Sequence, residues 1–328
     1  MNINEIARMA GVSRATVSRY LNDGYVSEEK RAAIRKVVER TGYVPSSQAQ
    51  TLRTGKTKLV GVILPKINSE SVGRMMAGIS EAFADTGYQL ILGNTDNHEE
   101  AEVKYLEVLA ENHVDGIILI GTIFTPQHLK VMRSLRVPIV VLGQELEGYS
   151  CVYYDDYNGE RDVTRLVLRH SQHPTFLGVI ESDQAAGHKR HQAFLDAVSE
   201  AGLHLPDGAT QSGQFTIDSG YEMAKTIMRR LPDTDAMVCA TDNIAVGAMT
   251  LLRERGVRVP DDVQVTGIGD SRIARVVNPS LTTVHYFYRT SGLEAGRLLV
   301  QMMEDGAIAR REIKMSHEVR AGGSTLPE

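Results

Sequence analysis

Hydrophobic positions along the chain follow two rhythms. Up to Gly42 they recur one helical turn apart: Ile6 and Ala10, Val17 and Leu21, then Ile34, Val37 and Val38. That spacing predicts three short helices. Asn2 with Glu5 three residues on forms a capping box for the first, and Gly11 supplies its left-handed stop. Ser13 caps the second, which runs from Arg14 to about Leu21. The third starts at Ser27, carries Glu28 and Glu29 in its first turn, and breaks at Gly42 and Pro45. With Val17 and Leu21 turned inward, Arg14, Ala15, Ser18 and Arg19 face outward.

Beyond Lys58 the rhythm changes. Apolar, β-branched runs alternate with amphipathic helices, the mark of parallel strands joined by crossover helices. The blocks repeat in order: "KLVGVILP" echoes "TFLGVIES", "GISEAFADTGYQLIL" echoes "RHQAFLDAVSEAGLHL", "NHVDGIILIG" echoes "PDTDAMVCATD", and "LRVPIVVLG" echoes "VRVPDDVQVTGIG". Two doubly wound lobes follow, and such sheets bind ligands beyond the carboxyl ends of their strands. The runs "LTTVHYFY" and "REIKMSHEV" have no counterpart in the repeat. They read as crossings of the chain between the lobes, which makes a clam with a hinged cleft.

Charge sharpens the division. The chain has 328 residues, 42% of them hydrophobic, enough for more than one core. Up to Lys58 there are 11 Lys+Arg against 5 Asp+Glu, which leaves 25 against 36 for the rest. A basic head precedes an acidic body, as expected when only the head must neutralise phosphates. The two cysteines, Cys151 and Cys239, form neither a disulfide framework nor a metal spacing. No apolar run has the length of a spanning helix, and "MNINEIARMAG" lacks the form of a secretory signal. The expectation is a cytoplasmic protein without membrane contact.

Two helices joined by a glycine-containing turn, the second presenting arginines, short hydroxyls and a small alanine, suit a helix-turn-helix that reads the major groove. Arginine donates two bonds to guanine, and Ser or Thr hydroxyls suit phosphates. "INEIARMAGVSRATVSRYLN" followed by "VSEEKRAAIRKVVERTGYVPSSQAQTLRTGKT" resembles the head and hinge of the LacI/GalR family of bacterial repressors. The resemblance assigns base contacts to Arg14, Ala15 and Arg19 and phosphate contacts to Ser13, Thr16 and Ser18. It makes Ser46 to Leu52 a hinge helix that puts Ser46, Ala49 and Leu52 on DNA, Leu52 as a minor-groove wedge. Ser46 and Gln50 depart from the asparagine and arginine common there. A seven-residue helix is too short to stand alone in water, so this segment is expected to order only on DNA beside a partner chain.

Strand-end loops nominate the lining of the cleft. The first lobe offers Lys66, Asn68, Ser69 and Ser71 after "VGVILP", Thr122 after "GIILIG" and Gln144 after "PIVVLG". The second offers Arg190, Asp242, Gly269 and Asp270, and Tyr286 lies on a crossing strand. Directional polar groups beside one aromatic face suit a neutral polyol. Simpler roles are open to the same residues: Lys66 and Arg190 as surface charges, Asp242 as the cap of a helix beginning near Ile244, and one of Tyr286 and Tyr288 as core. The family resemblance implies that Arg190 contacts effector hydroxyls or phosphates, and that Gly269 stands where an effector-binding carboxylate is expected. "CVYYDDYNG", "GHKRHQAFLDA" and "VCATDNIAVGA" most resemble trehalose- and sucrose-responsive members, and Gln144 replaces an arginine that would suit a phosphate.

Catalytic motifs do not assemble. "RTGKT" ends like a phosphate loop, but Gln50 stands where its first glycine belongs; "GVSRA" lies between helices rather than after a strand. The pairs His170/His173 and His188/His191 lack a carboxylate at ligand spacing, so no metal and no cofactor is expected.

The resulting expectation is an α/β chain: an N-terminal helix-turn-helix head and hinge helix joined to a two-lobed, doubly wound, periplasmic-binding-protein-like core. The expected divisions are a head over 1–44, a hinge over 45–57, a first lobe over 58–154 plus 284–311, and a second over 155–283 plus 312–328. The expected activity is that of a sugar-responsive repressor rather than an enzyme. It binds a near-palindromic double-stranded operator as a homodimer, because isologous dimers mirror twofold DNA, and a small carbohydrate, a disaccharide, releases it. No leucine heptads accompany "HEVRAGGSTLPE", which agrees with a dimer. The competing readings are an activator or global catabolite regulator of the same family, and a sugar-binding protein without a transcriptional role.

Overall fold

The computed structural model describes residues 1–43, 51, 55–306 and 309–327, and the chain forms two compact units, Met1–Leu59 and Val60–Glu328. In the first, α1 (Ile3–Met9), α2 (Arg14–Tyr20) and α3 (Glu28–Thr41) enclose Ile6, Ala7, Val17, Val26, Ile34 and Val37. Helices this short hold little by themselves, so the shared apolar centre and the caps fix them. Asn2 and Glu5 form the expected capping box: Asn2 Oδ1 accepts from the Glu5 amide at 3.1 Å, and Glu5 Oε2 accepts from the Asn2 amide at 2.9 Å. Leu21 closes α2 as its C-cap, and Val38, expected inside, sits on the rim of the core.

The second unit is built on two six-stranded sheets. The first takes β1 (Leu59–Leu64), β2 (Gln89–Asn94), β3 (Gly116–Leu119), β4 (Ile139–Gly143) and β5 (Ser150–Tyr154). The second takes β6 (Pro174–Val179), β7 (Thr210–Gly213), β8 (Ala236–Cys239), β9 (Gln264–Ile268) and β10 (Thr282–Tyr286). Late strands β11 (Glu312–Met315) and β12 (His317–Arg320) add an edge to each, parallel to β5 and antiparallel to β10 respectively. The orders β11-β5-β4-β3-β1-β2 and β12-β10-β9-β8-β6-β7 are the same permutation.

That permutation corrects one expectation. β10, the heart of "LTTVHYFY", is the fifth strand of its sheet as β5 is of the other, so it does have a counterpart in the repeat. Only Val152 with Val284 and Tyr154 with Tyr286 carry the likeness between "SCVYY" and "TTVHY", too little for sequence alone. The crossings follow: one after Tyr154, one after Tyr286 and one between Met315 and His317. Residues 284–286 therefore lie in the second sheet and 312–315 in the first, a shift of a few residues from the divisions expected at 284 and 312.

Helices α4 (Glu70–Phe83), α5 (Glu99–Glu111) and α6 (Pro126–Ser134) belong to the first lobe. The second holds α7 (Asp156–Leu168), a π-helical turn at Gln184–Lys189, α8 (Arg190–Glu200), α9 (Ile217–Arg230), α10 (Asp242–Glu254) and α11 (Arg272–Val276). After the return crossing α12 (Tyr288–Asp305) packs on α4. A Cβ on Gly78 would lie 1.9 Å from the Arg289 carbonyl oxygen and one on Gly292 2.0 Å from that of Met75, so the two helices touch backbone to backbone. Met75 and Ile79 are buried in the core beneath them.

Candidate nucleic-acid interface and ligand cleft

In the head, Ser13 accepts a bond from the Thr16 amide at 3.2 Å, which fixes the start of α2. Val17 is completely buried and anchors one face, so geometry forces Arg14, Ala15 and Arg19 into solvent. Thr16 and Ser18 are half-buried beside them, and the Ser13 and Thr16 hydroxyls lie 2.9 Å apart. The helix thus presents two guanidiniums and a flat alanine on a rigid support. Ser46, Ala49 and Leu52 lie outside the described residues.

In the second unit the carboxyl ends of the two sheets face each other, and their loops touch at two places. From the first lobe, the Arg74 Nη1 on α4 donates to the carbonyl oxygens of Gly269 at 3.0 Å and Asp270 at 3.3 Å, and Glu70 accepts from the Arg272 amide at 3.1 Å. At the second place Gln144 donates to Asp183 Oδ1 at 3.2 Å and to the Thr122 carbonyl, while Lys189 reaches Glu145 at 3.2 Å. Burial pushes the Asp183 carboxyl up to about 6, although the Ala185 and Ala186 amides stabilise its charge. Lys66, Ser69, Ser71 and Thr122 are half-buried and Asn68 is exposed around this crevice. The Ser69 and Ser71 hydroxyls bond each other at 3.0 Å, and Asn94 Oδ1 pins the loop through the Ile67 amide at 2.9 Å.

The remaining nominated residues are placed differently from the expectation. Tyr286 is fully buried and stacks on Tyr154 at 5.0 Å and 20°, so it packs at the hinge where both lobes cross over and offers no aromatic face to a ligand. Tyr288 is buried as well, so neither tyrosine stands open. Arg190 is also buried: Nε and Nη2 donate to Asp156 Oδ1 at 2.9 and 2.6 Å, Nη1 donates to the Ala240 carbonyl, and the guanidinium lies 5.6 Å from the Tyr286 ring. Burial works against its charge, but Asp156 outweighs it. Beside this pair Glu160 is fully buried, and burial pushes its carboxyl up to about 8 despite Arg190 and Thr164.

Asp242 does not cap α10; Thr241 does, through the Ile244 amide. The Asp242 carboxylate instead ties the β9 loop, accepting from the Ser271 amide and hydroxyl at 2.7 Å each and from the Thr283 hydroxyl. Asp270 turns its side chain to the opposite face of β10 from Tyr286, because Thr283 and His285 alternate with it. There it meets Arg275 at 2.9 Å and His285 at 2.8 Å beside a depression of about 400 Å³ that Arg320 also lines. Burial raises that carboxyl, but these two partners prevail and hold it below the usual range.

Participants not nominated from the sequence include Arg74, Glu70, Glu145, Lys189, Asp156 and Asp183. The last had a usable signal, an acid before two alanines in "SDQAA" at a strand end. Among the described residues no group of three or more His, Cys, Asp and Glu side chains is placed to hold a metal ion, and no helix is long and apolar enough to cross a membrane.

Comparison with known proteins places both units. Residues 2–46 match the profile "Bacterial regulatory proteins, lacI family", and 163–325 match "Periplasmic binding protein-like domain". The "Sucrose operon repressor" of Staphylococcus xylosus is 31% identical over 95% of this chain and 97% of its own. The "HTH-type transcriptional regulator CelR" of Thermobifida fusca is 32% identical over 90% and 89%. Among solved structures, a CelR–cellobiose complex superposes with TM-score 0.75 at 27% identity, covering 99% of both chains. A lac repressor dimer bound to operator and the anti-inducer ONPF superposes with TM-score 0.89 at 22% identity over 100% and 99%, a likeness of fold. With relatives above 30% identity along nearly the whole length, and an arginine-bearing head joined to a duplicated core, the chain belongs to the lacI family of bacterial regulatory proteins.

Proposed function

We propose that this protein is a cytoplasmic, sugar-responsive transcriptional repressor that binds a near-palindromic operator as a homodimer and is released by a neutral disaccharide. The observation that carries the reading is the conjunction in one chain of α2, with Arg14, Ala15 and Arg19 held outward, and a two-lobed core whose strand ends meet across a polar crevice. Arg14, Ala15 and Arg19 meet bases, Ser13, Thr16 and Ser18 meet phosphates, and Ser46, Ala49 and Leu52 meet DNA from the hinge and linker over 45–57. Lys66, Asn68, Ser69, Ser71, Thr122 and Gln144 are the first-lobe contacts to the sugar.

The charge of the crevice favours an uncharged ligand. Arg190 and Lys189 already face carboxylates at 2.6 and 3.2 Å. Glu70, Asp183 and Asp242 share the space with Lys66 and Arg74, which leaves no surplus positive charge among these residues for a phosphate. Names of relatives support the same class: one is a sucrose operon repressor, and another is solved with cellobiose.

Thermal melting of the purified protein with sucrose, trehalose, cellobiose and their phosphates, followed by fluorescence anisotropy on DNA selected by the protein from a random pool, tests the proposal. A neutral disaccharide is expected to raise Tm by mass action and to release the DNA. Release by a phosphorylated sugar alone, or by none of them, would contradict it.

A further inference from the structure

Two guanidiniums bracket the tyrosines of the hinge, and their bonding differs. Arg190, from the second lobe, has Nε, Nη1 and Nη2 all engaged by Asp156 and the Ala240 carbonyl. Arg74, from the first lobe, lies 5.2 Å from the Tyr288 ring and uses Nη1 alone, on the Gly269 and Asp270 carbonyls. Its Nε and Nη2 have no hydrogen-bond partner among the described residues, and the side chain is only half-buried. Tyr288 is itself immobilised against Tyr154, edge to face at 5.1 Å, and Tyr154 bonds Ser291 at 2.6 Å. A half-desolvated guanidinium on a fixed aromatic support, with two donor nitrogens unoccupied, is preorganised to receive acceptor oxygens.

From this contrast we infer that Arg74 is the guanidinium that meets the ligand, donating through Nε and Nη2 to hydroxyl or ring oxygens of a neutral sugar, while Arg190 ties the second lobe together. The inference deepens the function proposed above and rests on it. Because Nη1 grips the β9 loop of the opposite lobe, a sugar on the other two nitrogens is bound by both lobes through one side chain. Arg74 is thereby a determinant of which sugars fit.

Calorimetric titration of the full chain with sucrose, trehalose and cellobiose tests it, using the wild type, Arg74→Gln and Glu70→Ala. The last removes the neighbouring cross-lobe bond to the Arg272 amide but leaves Arg74 in place, and so reports closure alone. For whichever sugar binds the wild type, Arg74→Gln is expected to weaken binding about tenfold or more, the size of a lost charge-assisted pair, and several-fold more than Glu70→Ala, whose loss measures closure. Unchanged affinity in Arg74→Gln, or equal losses in both variants, overturns the inference and leaves the proposed function standing. Failure of all three sugars to bind the wild type overturns the proposed function and the inference with it.

Discussion

At the scale of single residues, the second lobe stores an unusual carboxyl. Glu160 lies fully buried, with Oε2 unpartnered, next to an Arg190 already held by Asp156. Its carboxyl, pushed up to about 8 by burial from an ordinary 4.5, stays protonated in the folded chain where the unfolded chain has lost the proton. Stability is therefore lost as pH rises between those two values, by at most about 1.4 kcal/mol per pH unit. Glu160→Gln, which cannot ionise, should gain on the wild type from about pH 5 to about pH 8 and level off above. Urea midpoints of both chains across that range check this. Asp183, pushed up to about 6, titrates in both and cancels. A stability gap independent of pH would show that Glu160 ionises freely in the fold. None of this was legible in the sequence. Glu160 reads there as one more helix carboxylate, and for Asp242 and Arg190 spacing tells where the side chain starts but not which bonds it makes.

At the scale of elements the sequence was far more legible. Caps at Asn2 and Ser13 and left-handed stops at Gly11 and Gly42 fell where the helix signals put them, and β1, β3 and β4 matched β6, β8 and β9. The exceptions were β7, which lies at Thr210–Gly213 beyond the "LHL" that echoes β2, and β10, whose apolar run also reads as a connection; the place of β10 follows from pairing to β9 and β12, a non-local fact. The best-defined working element is α2. Arg14 has no part in the core of the head, so Arg14→Ala should leave its folding intact while relaxing base preference, costing about 1 to 3 kcal/mol against the preferred base pair. Competition between the selected operator and random DNA measures this. An equal loss on both would make Arg14 a phosphate contact instead.

At the scale of the whole molecule, duplication makes a hinge. Equivalent strands β5 and β10 each end at a chain crossing, and their terminal tyrosines, Tyr154 and Tyr286, stack on one another. The lobes can thus pivot about a packed aromatic centre while Arg74, Glu70, Gln144 and Lys189 make or break their contacts across the crevice. In the proposed mechanism, sugar in the crevice changes how the lobes close, and that change reaches the DNA-reading head through residues 45–57. Thermodynamic linkage makes the coupling reciprocal. The decisive measurement is the affinity of the inducing sugar for the free protein and for the protein saturated with its selected operator. The account predicts weaker sugar binding on the operator, by roughly 5- to 150-fold, with operator affinity reduced by the same factor when sugar saturates the core. Equal sugar affinities with and without operator would contradict it.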